Sequence, residues 1–201
     1  MLGEVAKDKV VLTSGAKPGD RLVLTKGIAI EGTAILAREA APALRAAGVK
    51  AAVVRRAKEY LFAPGISVVK DAAVACASGG VHAMHDPTEG GLASGLLEMA
   101  RAGNVGLAVD AEAIPVLPEC RAVCDALKLD PLGLIASGAL LAAVAKDKVA
   151  ALRKALSGEG VAAHEIGEVV EASEGLTLRK RGRTRRLPVF ARDEVARYLG
   201  G

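Results

Sequence analysis

Aromatic side chains are nearly absent, with two tyrosines, two phenylalanines and no tryptophan, 2% of 201 residues. The core must then be filled by Ala, Val and Leu, side chains that let elements approach closely and favour helices laid on a sheet. Cysteine is scarce as well. Cys76, Cys120 and Cys124 are an odd set without framework spacing, which argues against a disulfide scaffold and for reduced thiols in the cytoplasm. No long apolar run is present. The longest uncharged stretch, Pro131 to Ala145, is shorter than the roughly 20 residues of a membrane helix and is interrupted by Gly133 and Gly138. Met1 to Val10 mixes Glu4, Lys7, Asp8 and Lys9, unlike a secretion signal. Neither charge sign dominates: 27 basic against 23 acidic residues give +4, too weak a global field to imply nucleic acid.

The chain is long enough for one hydrophobic core, and 51% of it is apolar, so one domain is expected over residues 21–201 behind an extended lead-in over 1–20. Arg21 to Thr25 reads as a strand and Thr33 to Ala47 as a helix bent at Pro42. Val49 to Leu61 and Ser67 to Ser78 read as helices either side of Pro64-Gly65. A strand over Val81 to Met84 precedes a helix over Glu89 to Ala102, and a strand over Val105 to Val109 precedes an amphipathic helix over Leu117 to Leu127. A buried strand over Ala139 to Ala145 leads into a helix over Lys146 to Leu156. Strands over His164 to Val170, Leu176 to Arg179 and Thr184 to Leu187 follow, then a closing helix over Asp193 to Leu199. The expected class is α/β, a layered α+β sandwich with a mixed sheet flanked by helices and a terminal β-hairpin.

One segment concentrates chemical information. In His85-Asp86-Pro87-Thr88-Glu89-Gly90-Gly91-Leu92-Ala93, Asp86 or Thr88 can cap the following helix, Pro87 fixes the approach, and two glycines bare backbone N–H groups at its positive end. That is an anion site in outline, although a glycine pair at a helix start also serves close helix-to-sheet packing.

Taken with Ile114-Pro115-Val116, Leu129-Asp130-Pro131-Leu132 and Ala136-Ser137-Gly138-Ala139-Leu140-Leu141, this loop resembles the C-terminal domain of the AIR synthase related family. That family includes aminoimidazole ribonucleotide synthase, selenophosphate synthetase, thiamine-monophosphate kinase and the hydrogenase-maturation carbamoyl dehydratase, whose motif order is the nearest match. Gly19 to Gly27 is similar to the segment joining the two halves of such proteins, and Phe190 to Leu199 to their ending. The resemblance implies an ATP-dependent ligase or dehydratase-like enzyme. Its implied nucleotide-facing positions here are Thr88, Glu89, Gly90, Gly91, Ser137 and Gly138, and Asp86 is an implied catalytic residue. His85 joins Asp86 as a candidate general base, beside the loop with a side chain that titrates near neutrality.

The acidic, Mg-binding motifs of the family's N-terminal half have no counterpart here. ATP and Mg are therefore expected only through a partner, an N-terminal AIR-synthase-like half or a homologous subunit, with a homodimer as another assembly and no cofactor for the isolated chain. Glu89 stands where the maturation enzyme has a basic residue and should weaken phosphate binding. That enzyme's terminal cysteine is also missing, so the cyanide-forming reaction is not expected. The alternative function is a non-catalytic binding or regulatory module that keeps the fold. A bulky residue at Gly91 is expected to harm anion binding more than folding.

Other signals have plainer readings. His82, His85 and Asp86 lie close in sequence, but residues three apart on a strand face opposite sides, and no metal set is expected. Cys120 and Cys124, one helical turn apart, read as buried small hydrophobes. The basic run Arg179 to Arg186 lacks interleaved aromatics and reads as an exposed, charge-protected hairpin rather than a nucleic-acid groove.

Overall fold

The computed structural model describes residues 4–7 and 9–200; parts of the expected lead-in, Met1 to Gly3 and Asp8, lie outside the described residues. Seven strands form one mixed sheet: β1 (Arg21–Thr25), β2 (Val81–His85), β3 (Gly106–Asp110), β4 (Leu141–Val144), β5 (Ala163–Val170), β6 (Leu176–Lys180) and β7 (Arg183–Arg186), in the order β2-β4-β1-β5-β3-β6-β7. Only the β3–β6 pair is parallel. The helices are α1 (Ile30–Glu39), α2 (Ala41–Ala46), α3 (Ala51–Lys58), α4 (Val69–Ser78), α5 (Gly91–Gly103), α6 (Pro118–Leu127), α7 (Val149–Gly158) and α8 (Glu194–Leu199).

The strands' composition follows their depth. In the central strands β1 and β4 the runs Leu22-Val23-Leu24-Thr25 and Leu141-Ala142-Ala143-Val144 are buried throughout, because both faces of this part of the sheet are covered. One face packs on α1, α3, α5 and α6 through Leu22, Leu24, Leu36, Leu96, Met99 and Val123. The other packs on α4 and α7 through Val23, Ala142, Val144, Leu152 and Leu156. A Leu or Val fully buried this way contributes about 1.5–3 kcal/mol. At the far edge β7 is exposed along its whole length.

Several boundaries differ from the sequence reading. The helix expected over Thr33 to Ala47 starts at Ile30 and breaks at Ala40, where Pro42 opens α2 instead of bending a continuous helix. Lys146–Lys148 forms a 3-10 turn ahead of α7. The helix expected from Glu89 begins at Gly91, because Gly90 and Gly91 both take positive φ, 74° and 68°, which no helix interior accepts. Cys120 and Cys124 are buried, with sulfurs 3.9 Å apart.

Candidate functional site

β1 and β2 both run antiparallel to β4 between them, so their C-terminal ends and the N-terminal end of β4 meet at one edge of the domain. The loops carrying Asp86 to Gly91 and Ser137-Gly138 leave from that edge. They are tied together: the Thr88 carbonyl accepts the N–H of Gly91 at 3.1 Å and that of Ala136 at 3.1 Å. Folding thus brings Thr88 beside Ala136, the residue before Ser137, whereas the cleft lined by Glu89 and Gly90 takes in Ile135 and not Ser137 or Gly138.

Two amides of this loop have internal partners. Gly91 is used by the Thr88 turn, and Gly90 N–H donates to Asp193 Oδ2 at 2.8 Å. Asp193 also caps α8, its Oδ1 accepting the Val195 N–H at 2.8 Å. Gly90, Glu89 and Ser94 face a cleft of about 570 Å³ closed on the other side by Ile135, Phe190 and Arg192. A Cβ on Gly91 would fall 2.4 Å from the Leu132 carbonyl oxygen and 2.6 Å from that of Leu134. Gly91 is therefore where the loop crosses another stretch of backbone, and a bulky residue there is expected to harm folding, a cost the sequence alone assigns to anion binding. Gly138, with φ of 111°, likewise passes under the Gly65 carbonyl, 2.9 Å from where its Cβ would be.

Beneath the loop lies a buried polar network that sequence reading did not single out. The Thr25 hydroxyl donates to Asp71 Oδ2 at 2.6 Å and accepts the Leu140 N–H at 2.9 Å. Lys26 Nζ stands 3.2 Å from the same Asp71 oxygen and donates to the Ser67 carbonyl at 2.8 Å. The side chains of Lys26 and Asp71 are only 8% and 3% exposed. Lys26 holds a left-handed backbone with φ of 56°, a strained state for a side-chain-bearing residue and one that clusters at functional sites. The signal in the sequence was the triplet Thr25-Lys26-Gly27 at a strand end; its partner Asp71 is 46 residues from Thr25, beyond any local pattern.

Asp86 stands next to this network. It keeps contact with solvent, yet the protein packed around its carboxyl raises its pKa above the ordinary aspartate value; His85 and Lys26 oppose the rise, and Glu31 and Asp71 add to it. A carboxyl that holds its proton more tightly is suited to proton transfer. His85 is engaged elsewhere: Nε2 pairs with Glu98 at 2.8 Å and Nδ1 lies 3.4 Å from the Thr13 hydroxyl. His82 pairs with Asp20 at 2.8 Å. The two histidines have separate partners, and among the described residues no three His, Cys, Asp or Glu side chains converge on a metal position. The site by itself does not fit Mg, and a phosphate at Gly90 would meet the carboxylates of Asp193 and Glu89.

A mixed sheet covered by helices, with a glycine-containing loop at the shared ends of β1, β2 and β4, defines a layered α/β domain. Residues 17–179 match the AIR synthase related protein, C-terminal domain, and the chain belongs to that family. It is 35% identical to the carbamoyl dehydratase HypE of Cupriavidus necator, the match covering 85% of this chain and 46% of that one. The crystal structure of Escherichia coli HypE, a hydrogenase maturation protein, superposes with a TM-score of 0.71 at 26% identity, covering 92% of this chain and 54% of the other. A HypE crystal structure in complex with ATP shares the fold, with a TM-score of 0.70 at 24% identity over 96% of this chain and 57% of its own. The chain thus spans about half the length of these relatives. None of its helices, among the described residues, is long and apolar enough to cross a membrane.

Proposed function

We propose that the chain is the C-terminal, phosphate-facing domain of an ATP-dependent ligase or dehydratase-like enzyme, active with an N-terminal AIR-synthase-like half that holds ATP and Mg. A homologous subunit, or a second copy of this chain, is the other form the assembly takes. The observation that carries this reading is the family match over residues 17–179, with exposed Asp86 standing by the loop next to the buried Lys26–Asp71 pair. In the assembled enzyme Asp86 moves a proton to or from the substrate. Lys26 places positive charge close to it, and the loop of Thr88, Glu89, Gly90 and Gly91 with Ser137 and Gly138 faces the phosphates. His85, held by Glu98, orients the end of β2. The family match and the fold shared with an ATP-bound protein support the nucleotide; the partner half supplies whatever holds the metal.

A second reading has its own observation. Asp193 already fills the anion position at Gly90, as it would in a binding or regulatory module that keeps the fold without catalysis. Co-expression with N-terminal halves of family relatives, followed by assay of ATP turnover, separates the two. Turnover that appears only in the pair and disappears in Asp86→Asn supports the enzyme. Stable pairing with no turnover supports the module.

A further inference from the structure

We infer that the outer edge of β7 is a docking site for an acidic, extended segment of a partner protein, taken up as an eighth strand. β7 ends the sheet and, among the described residues, pairs only with β6. The turn between them, Arg181-Gly182, has φ of 51° and 73°, the doubly positive geometry of a tight two-residue hairpin. In such a hairpin the flanking residues Lys180 and Arg183 form the first hydrogen-bonded pair, and the pattern then alternates. The N–H and C=O groups of Arg183 and Arg185 consequently point at β6, while those of Thr184 and Arg186 point outward. The 3.0 Å bond from Leu187 N–H to the Leu176 carbonyl continues the same alternation. An incoming strand therefore finds a backbone edge with no partner among the described residues at Thr184 and Arg186, both exposed.

Charge selects which strand that is. Of the basic residues in this hairpin only Arg179 is paired, to Asp110 at 2.6 Å. Lys180, Arg181, Arg183, Arg185 and Arg186 form no ion pair among the described residues. Arg185 is the register partner of buried Leu178 and so lies on the helix-covered side. There it joins Lys180, Arg181, Arg121 and Lys128 along a trough of about 660 Å³ in which cations outnumber carboxylates. Two copies of such an edge repel one another, whereas a strand bearing Asp or Glu relieves the repulsion. A nucleic acid would leave the outward N–H groups without register-matched acceptors, and no aromatic residue between Leu176 and Val189 offers a base a ring to stack on.

The test is fluorescence anisotropy with a labelled peptide alternating Glu and Val, compared with a Lys-Val peptide and an oligouridylate RNA. The Glu-Val peptide should bind with strong salt dependence and slow the amide exchange of Thr184 and Arg186. Thr184→Pro removes only an outward N–H and leaves the β6 ladder in place, and it should weaken binding by about tenfold or more. The double variant Arg183→Glu/Arg185→Glu should do the same through charge if the proline disturbs the hairpin. Absence of peptide binding, equal binding by Thr184→Pro with its hairpin intact or by the charge-reversed variant, or tighter binding of the RNA would overturn the proposal.

Discussion

Asp193 Oδ2 accepts the N–H of Gly90 at 2.8 Å, and the other oxygen of the same carboxylate caps α8 at Val195. One side chain thus completes the C-terminal helix and holds an anionic group on the loop. Replacing it with Ala frees the Gly90 amide and should strengthen phosphate binding there, followed by the Gly90 amide resonance during phosphate titration. The lost cap should cost α8 about 1 kcal/mol, while Asp193→Ser restores a cap without the charge. Glu89→Arg should add to the gain. A Gly90 resonance that phosphate leaves unmoved in both Asp193 variants contradicts this account of the loop.

The adjoining glycines should differ in what they tolerate. At Gly90 a new Cβ meets the Ser94 hydroxyl, a mobile group, whereas at Gly91 it meets two backbone carbonyls. Gly91→Ala should therefore lower the urea midpoint more than Gly90→Ala, and Ser94→Gly should partly rescue the second but not the first. Equal losses at the two positions would mean that positive φ alone sets the cost.

The pair of Lys26 and Asp71 is buried on both sides, so removing one partner strands the other. Lys26→Met should destabilise the domain by about 3 kcal/mol. The double variant Lys26→Met/Asp71→Asn should recover part of that loss, because no charge is then left buried. Equilibrium denaturation of the double-mutant cycle reads the coupling directly; additive losses would remove the pair from the account of the site.

Far from the loop, burial works against the charge of Glu119, but hydrogen bonds from the Tyr60 hydroxyl and the Arg56 guanidinium outweigh it and hold its pKa below the ordinary glutamate value. Burial and the same contact push the Tyr60 hydroxyl well above its usual range. A carboxyl lowered by folding adds stability that is present above its unfolded pKa and is lost as pH falls through its folded one. Tyr60→Phe should cost roughly 1.5–3 kcal/mol at neutral pH and flatten the acid limb of a plot of melting temperature against pH. An acid limb identical in both proteins would show that Glu119 does not titrate with unfolding.

Much of the sheet was legible because its pattern is local. The apolar runs around Leu22 and Leu141 announce strands buried on both faces, and Gly182 between two basic stretches marks the hairpin. The adjacency of Thr88 and Ser137 came only through family resemblance, since no local rule brings residues so far apart together. The start of α5 was misplaced because Pro87 and Thr88 look like a helix opening, while the positive φ of Gly90 and Gly91 leaves no trace in hydrophobic periodicity. The network of Thr25, Lys26 and Asp71 was missed for a similar reason: a buried ion pair depends on packing between distant segments, and each residue taken singly looks like a polar side chain in contact with water.

Calorimetric titration of Mg-ATP into the chain alone, and into its complex with an N-terminal AIR-synthase-like half, tests the proposed division of labour most directly. Mg-ATP should bind the complex and leave the chain alone unbound. Micromolar binding of Mg-ATP by the isolated chain would contradict it.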